Sequence, residues 1–578
     1  MRKVSECSSI AVAVVLGLGL FAVPAAGQTA GQLAQETYAP APVRALRGGL
    51  ALPGGGADAP DGADQLFVTL SGLIVEGGME ALASETAAIE KRLKGKRASA
   101  ADLFAAAADL EAAYAQAGYI LARVSLPPQT IADDMPLRLQ VTQGYVAGVD
   151  ASAFVGSARQ RVEAVLAPLI GRSALTRGEL ERRLLLAGDT PGLMLRSTLK
   201  AGDAPGAAII VVDGRYDPIS ATLAGDNAVS AELGRVSMQA GVDFNNVLGL
   251  GESVYLRLAG YPGLGRHGVV DADPRNRQLV AGLSLPLGVD GWSINLEGTR
   301  SQTHPESALG YAMLGDYQRW SGRVSYSWLR TRGLNLSTQL GLDIVDESQD
   351  IAIGASHIAF SKDSLRILRL TQSADGVTPW GGLVSGTATL SFGLDALGAR
   401  RGTLALPMSR QGAMPDFAKL DLSGRHSESF ADEGLTLTVA GRVQTSFGAA
   451  LPSSEQIGIG GIGWLSAYGG GDLRGDAGLV LRTDLGFPLK LPALENLPSV
   501  GSVVTPYVFA AAGAVSRENP TALEAKTVQA AAFGAGLTLG FAEKASPRSG
   551  SLTLEYGHGW SSDLQPSDGL NLRFALRF

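Results

Sequence analysis

From residue 216 to the last residue, apolar and polar side chains alternate with a period of two. Leu570, Leu572, Phe574, Leu576 and Phe578 interleave with Asn571, Arg573, Ala575 and Arg577. Trp292, Ile294 and Leu296 interleave with Ser293, Asn295 and Glu297, and Leu334, Leu336, Leu340, Leu342 and Ile344 follow the same rule. A period of two places successive side chains on opposite faces of a strand. A soluble sandwich alternates too, so the pattern alone leaves the class open. Two features favour a membrane barrel. The segments run about 9–11 residues, enough to cross a bilayer at a tilt. Charged side chains also recur opposite an unbroken apolar face. Hydrocarbon tolerates no open sheet edge, so such a sheet must close on itself. Sixteen strands over residues 216–578 leave about 23 residues for each strand with its connection. The expected fold is a transmembrane β-barrel of 16 antiparallel strands. Arg257, Glu297, Arg442, Glu555, Arg573 and Arg577 would face its lumen, and Phe578 the lipid.

Upstream of residue 216 the texture is mixed. Strands are expected at residues 66–75, 120–126 and 137–141, with helices at 80–94 and 100–116. A second unit follows, with helices near 158–167 and 176–187 and strands near 194–199 and 208–212. These define two α/β modules, 65–150 and 151–215. Residues 28–64 read as a linker, rich in Ala, Gly and Pro. At the N-terminus, Arg2 and Lys3 precede an apolar stretch over residues 10–23 and the small residues Ala25, Ala26 and Gly27. That pattern predicts a secretory signal over residues 1–27. Its Cys7 is the chain's single cysteine. The exported chain would then lack disulfides, thiol catalysis and cysteine metal sites together.

Composition sharpens the class. Gly supplies 75 of 578 residues while only 18% are charged, which fits many short strands and turns better than a soluble helical chain. A formal charge of −7 argues against a general nucleic-acid binder. His267, His304, His357, His426 and His558 are scattered without ligand or triad spacing. Residues 458–463 match G-x-G-x-x-G, but no strand–helix unit surrounds them, so the dinucleotide reading is set aside. The basic run over residues 91–97 reads as a solvated helix end. No catalytic constellation emerges; neither an enzyme nor a cofactor is expected.

Five ordered pieces then carry a resemblance. Gly118, Tyr119 and residues 120–124, followed by Pro127, Pro128 and Gln129 and closed by Gly144, resemble a first POTRA domain. Leu175, Thr176, Leu180, Glu181 and Asp189 to Gly192 resemble the helix and turn of a second. Asp226–Asn227 and residues 246–251 match a barrel entry, and Gly460, Gly461, Trp464, Leu465, Ser466, Ala467 and Tyr468 match a lumen loop, GG-x-x-x-V-R-G-F/Y, with Gly475 and Asp476 in its G-D-x-G sequel. Phe509, Ala511 and Gly513 match the F-x-D-x-G strand motif that faces the loop. The layout resembles two-partner secretion transporters, the ShlB/FhaC/HecB or TpsB exporters, which are related to BamA. Two motif positions depart: the loop arginine is Ser466 and the strand aspartate is Ala511. Both halves of the implied ion pair are absent together, which leaves packing of Trp464, Leu465 and Tyr468, with Arg474 or Asp476, to hold the loop.

The resemblance implies an outer-membrane barrel with periplasmic POTRA domains that threads an unfolded exoprotein through its lumen. The implied partners are an exoprotein with an N-terminal secretion domain and outer-membrane lipid, with no nucleic acid, and the transporter is expected to be a monomer. It also implies a plug helix within residues 28–45. A lack of nucleotide motifs points to export without nucleotide hydrolysis. Strand addition at residues 66–75 or 208–212 is the expected mode of capture. An assembly factor for other barrels and a passive porin are the alternatives.

Overall fold

The period-two segments close into one sheet in the computed structural model, which describes residues 29–40 and 59–578 except 264–265, 307–310, 355, 431–433, 493–498, 523 and 545. The signal assigned to residues 1–27 lies outside the described residues. In chain order the barrel strands are Ile219–Asp226, Ser237–Asn245, Ser253–Gly260, Asn276–Leu287, Trp292–Thr303, Tyr311–Arg330, Leu334–Ile353, Ser356–Val377, Leu383–Gly393, Ala418–Phe430, Leu435–Thr445, Ala477–Gly486, Val500–Ser516, Thr527–Glu543, Ser549–Ser561 and Ser567–Arg577. That makes sixteen, each antiparallel to the next. The twelfth breaks at Phe487–Pro488 and resumes as Leu489–Leu491 on the same neighbour. Proline has no N–H to give the ladder there.

The first and last strands close the ring through five register pairs, Asp226↔Arg573 to Thr222↔Arg577. The thirteenth and fourteenth share seventeen. Asn227 lengthens the short seam with its side chain: Nδ2 donates to the Leu570 carbonyl at 2.8 Å, and Oδ1 accepts the Leu572 N–H at 2.7 Å.

Alternation sorts the two faces. Leu479 and Leu481 are 51% and 52% exposed on the outer face, while their neighbours Val480 and Arg482 are 2% and 4% exposed within. Phe578 sits on the outer face, and its N–H donates to the Ala221 carbonyl at 2.9 Å. Trp292, Tyr326 and Trp328 meet in series near the short-turn rim, the first pair tilted and the second edge-on, with ring centroids 4.6 and 4.7 Å apart. Phe533 and Trp560 stack at 5.3 Å toward the other rim. Two aromatic bands flanking an apolar belt are the signature of a barrel seated in a bilayer. The sixth to eighth strands, of 20, 20 and 22 residues, run well past the 9–11 or so that hydrocarbon requires.

Residues 59–216 belong to a separate compact unit. In its first module the helix Ala100–Gln116 starts at a capping box, where Ser99 Oγ accepts the Asp102 N–H at 3.1 Å and Asp102 Oδ2 accepts the Ser99 N–H at 2.7 Å. Leu103, Ala107, Leu110 and Tyr114 repeat at helical spacing and are buried against Leu137 and Leu139. Residues 66–75 form two strands rather than the one expected. Phe67–Thr69 pairs with Arg97–Ser99, and Gly72–Glu76 runs parallel to Pro136–Thr142. The chain changes partners between them: the Leu70 carbonyl accepts from Gly95, and Ser71 donates to Met135. The strand expected at 120–126 shortens to Arg123–Ser125, because Ala122 donates to Tyr119 in the turn that follows the helix.

The second module has a three-stranded sheet in the order Tyr145–Asp150, Ala207–Tyr216, Leu193–Ala201, with the helices Gly156–Leu166 and Arg177–Gly188. Tyr145–Asp150, placed in the first module by a boundary at 150, pairs in parallel with Ala207–Tyr216 and so belongs to the second sheet. Residues 208–212 lie in the central strand, with both edges occupied. The strand-addition site expected there is therefore corrected: a strand paired on both sides has no free N–H or C=O row to offer.

Candidate functional site in the barrel lumen

The loop between the eleventh and twelfth strands turns inward. Its base is a two-residue ladder, Ile457–Gly458 against Arg474–Gly475. Above it the Leu465 N–H donates to the Ile459 carbonyl at 3.1 Å, and the Gly461 N–H to the Tyr468 carbonyl at 2.9 Å. This folds Gly460 to Tyr468 into a tight tip. Leu465, Ala467 and Tyr468 are buried against wall residues Phe509, Ala511, Val515 and Ala532. Trp464 packs at the margin of the same cluster. Gly513, the last position of the strand motif, lies across the ladder from Val480 and lets Ile459 approach.

Ser466, at the loop's arginine position, is 2% exposed, and its carbonyl accepts from Asn571 Nδ2 at 2.8 Å. A guanidinium does lie beside it, supplied by the wall. Arg482 donates to the Trp464 carbonyl at 3.2 Å and lies 3.5 Å from Ser466 Oγ. Its carboxylate partner is Glu555, at 2.6 Å and 3.3 Å, and Glu555 also accepts the Tyr507 hydroxyl at 2.6 Å. Asp484 holds Arg482 Nε at 2.8 Å, and the guanidinium lies 3.9 Å from the centre of the Phe509 ring. Ala511, at the aspartate position, is the cross-strand register partner of Arg482. A charged pair thus stands at the loop tip with both charges on the barrel wall. Arg474, the alternative anchor, instead bonds within its own loop, donating to the Gly470 carbonyl at 3.2 Å.

The profile of the haemolysin secretion/activation proteins ShlB/FhaC/HecB matches residues 206–539, and that of the ShlB-type POTRA domain matches 68–144. The chain belongs to the ShlB/FhaC/HecB family. It is 22% identical over 457 residues to the heme/hemopexin transporter protein HuxB of Haemophilus influenzae, covering 76% of this chain and 74% of that protein. Its fold is similar to that of CdiB from Escherichia coli, with a TM-score of 0.67 at 18% identity over 90% and 92% of the two chains. CdiB from Acinetobacter baumannii gives 0.59 at 15% identity over 100% and 99%. The chain is a two-partner secretion transporter, an outer-membrane barrel with POTRA domains in the periplasm. The family is one of transporters rather than enzymes.

The remaining motif residues of this transporter divide by place. Asp476 is fully buried: Oδ1 accepts from the Leu451 N–H at 3.0 Å and Gln456 Nε2 at 3.1 Å, and Oδ2 from the Glu518 N–H at 2.7 Å. It ties the lumen loop to the next surface loop, while Gly475 packs against the Ser516 backbone. In the first POTRA domain Gly118 ends the helix and Tyr119 meets Tyr114 edge-on at 6.4 Å. Pro127 and Pro128 lead to Gln129, whose amide bonds both the N–H and the carbonyl of Arg138 at 2.9 and 2.7 Å and so extends the sheet. At Gly144 a Cβ would come within 2.1 Å of the Leu121 carbonyl oxygen, so only glycine fits.

At the base of the loop lies Glu455, bonded by Arg369 and Lys419 at 2.7 and 2.8 Å. Burial alone would raise its carboxyl, but these cations outweigh it and hold it at about 2. Against this base lies a four-residue helix, Ala30–Leu33, within the span where the resemblance placed a plug. Thr29 and Gln32 form its capping box, and Gln32 Nε2 donates to the Ser453 carbonyl at 3.3 Å. Alternation marks Arg482 as an inward residue, but no rule read from one sequence pairs it with Glu555.

Proposed function

We propose that the chain captures an unfolded exoprotein in the periplasm and exports it through the barrel lumen without nucleotide hydrolysis, acting as a monomer. The partner is a secreted protein with an N-terminal secretion domain. The observation that carries this reading is that the polar bore already holds non-helical polypeptide: past Leu33, residues 34–40 run along the wall, with Tyr38 donating its N–H to Glu297 at 2.8 Å. A lumen that accommodates one extended segment is wide and polar enough for another.

Capture is supported by an open edge. Gly72–Glu76 lies at the margin of its sheet, paired only with Pro136–Thr142 among the described residues. Ile74 is exposed there. An incoming strand can complete that edge by main-chain bonds. The deciding experiment is secretion of the partner by cells carrying the wild-type chain or a Val75→Pro variant, which spoils the edge without touching the barrel. A fall in secreted exoprotein at unchanged barrel level supports capture there. Equal secretion counts against it.

A second reading, insertion of other barrels, is favoured by the five-pair seam between the first and last strands. Cross-linking that seam tests it: an exporter through the lumen keeps secreting, whereas an assembly factor working by lateral opening stops. A passive porin would be indifferent to both changes.

A further inference from the structure

We propose that four buried side chains of the lumen wall form a track that reads polypeptide main chain, and that the exported chain takes this track over from the resident segment. The proposal rests on the export reading. Each of the four touches a backbone atom. Glu347 Oε1 accepts the Gly31 N–H at 3.0 Å, and Gln278 Nε2 donates to the Leu33 carbonyl at 2.9 Å. Arg323 donates to the Glu36 carbonyl at 2.6 Å, and Glu297 Oε2 accepts the Tyr38 N–H at 2.8 Å. Two donors and two acceptors of the main chain are thus matched over residues 31–38 by wall groups of opposite kind.

Every residue carries a carbonyl, and every residue but proline an N–H. The track therefore selects polypeptide without selecting its sequence, which is what a conduit for a long chain needs. The wall side chains are 2–8% exposed, so bonds made there are worth more than in water and are costly to leave unmade. The track is also narrow. At Gly31 a Cβ would lie 2.6 Å from Glu347 Oε2 and 2.8 Å from Tyr317 Cδ2, so a larger residue passing this point must push those two side chains aside. Its own side chains add to the hold through Thr37 on Glu297 and the Tyr38 hydroxyl on Gln278. A displacing chain forfeits those two bonds and keeps the backbone ones, so the resident segment is retained at rest and exchangeable by a chain supplied in excess.

The test uses the full chain in planar bilayers and times the blockade of its openings. Three probes are compared: an unstructured Gly–Ser peptide, a polysarcosine of the same length, which lacks N–H groups, and polyethylene glycol of equal hydrodynamic size. The peptide should reside about tenfold longer than polysarcosine, with the glycol shortest, as expected for the loss of one or two hydrogen bonds to charged groups. In Gln278→Leu with Glu347→Leu, two wall positions free of ion pairs among the described residues, the peptide's advantage should fall about tenfold while the glycol is unchanged. Equal residence of the three probes on the wild-type chain overturns the track, and needs no variant to fold. Unaltered peptide residence in the double variant overturns it too. If the double variant loses capture in bilayers yet secretes its partner at the wild-type rate in cells, the exported chain does not use the track and the proposal falls while the export reading stands. If the wild-type chain holds the peptide in bilayers but secretes no partner in cells, it is the export reading that falls.

Discussion

Replacing Arg482 by methionine removes the cation from the loop tip while keeping most of the side chain's volume. Glu555, whose side chain is 4% exposed, would then retain the Tyr507 hydroxyl and lose its charge partner. Removing one member of a buried pair costs about 3–5 kcal/mol, because the survivor is left charged in a poorly hydrated site. The stacking on Phe509 adds about 1–2 kcal/mol. Glu555→Gln should be milder, since Asp484 still holds Arg482 at 2.8 Å and the amide can still accept from Tyr507. The double change should recover much of the loss, giving a coupling of about 2–3 kcal/mol. Urea unfolding of the barrel in vesicles, followed by tryptophan fluorescence, supplies the four free energies. The loop has its own readout: a cysteine at Ser466 should label slowly in the parent and fast once Arg482 no longer donates to the Trp464 carbonyl. A coupling below about 0.5 kcal/mol, or equal labelling in both backgrounds, would refute the assignment of Arg482 as the wall-borne anchor.

Four further outcomes are expected. Ser466→Arg sets a second guanidinium beside Arg482 and should reduce secretion, Ala511→Asp alone should also reduce it, and the double change should recover; independent effects would show that the two positions do not share a site. Deletion of residues 65–213 should abolish export yet leave a heat-modifiable, inserted barrel, because every strand of the ring lies within Asp217–Phe578, outside the deleted unit. Phe574→Arg puts charge on the lipid face and should destabilise the barrel by about 2–4 kcal/mol if near mid-depth, visible as lost membrane yield. For Glu455, whose ordinary value is 4.5 and whose folded value is about 2, the carboxylate stabilises the folded loop fully above pH 4.5. That contribution is lost progressively as the pH falls from about 4.5 to about 2, so the unfolding free energy of the barrel in vesicles should decline across that window, and less so in Glu455→Gln.

Sequence and structure agree most closely where a single physical rule acts. Lipid on one face and water or protein on the other impose the period of two, and the inward row of Arg257, Glu297, Arg442 and Glu555 follows from it. Each has a carboxylate or guanidinium partner across the lumen face: Asp243, Arg319, Asp421 and Arg482. Strand ends were less legible, because the sixth to eighth strands continue past the membrane, where neither face meets lipid and nothing in the alternation marks the boundary. Residues 208–212 misled for a different reason. Ala207 to Val212 is an unbroken apolar run, which is the mark of a strand covered on both faces and therefore central. The edge strand Gly72–Glu76 carries an apolar run of its own, Leu73 to Val75, and what sets it apart is its place at the margin of the sheet, where Ile74 is exposed.

The lumen loop shows where single-sequence reasoning reaches its end. Two departures from a motif, Ser466 and Ala511, are readable at once, and their joint loss removes the expectation of an ion pair between those two positions. What replaces it is not readable, because Arg482 lies 16 residues from Ser466 and 73 from Glu555, and only the closed barrel brings the three together. The replacement has a mechanical consequence. When both charges sit on the wall, withdrawing the loop tip breaks hydrogen bonds to the Trp464 and Ser466 carbonyls but separates no ion pair. Each such bond is worth about 1–3 kcal/mol, against about 3–5 for stripping one charge from a buried pair. The tip of this transporter is thus tethered less tightly than an arginine on the loop would tether it, and moving a charge onto residue 466 should hold it more firmly only when residue 511 supplies the carboxylate.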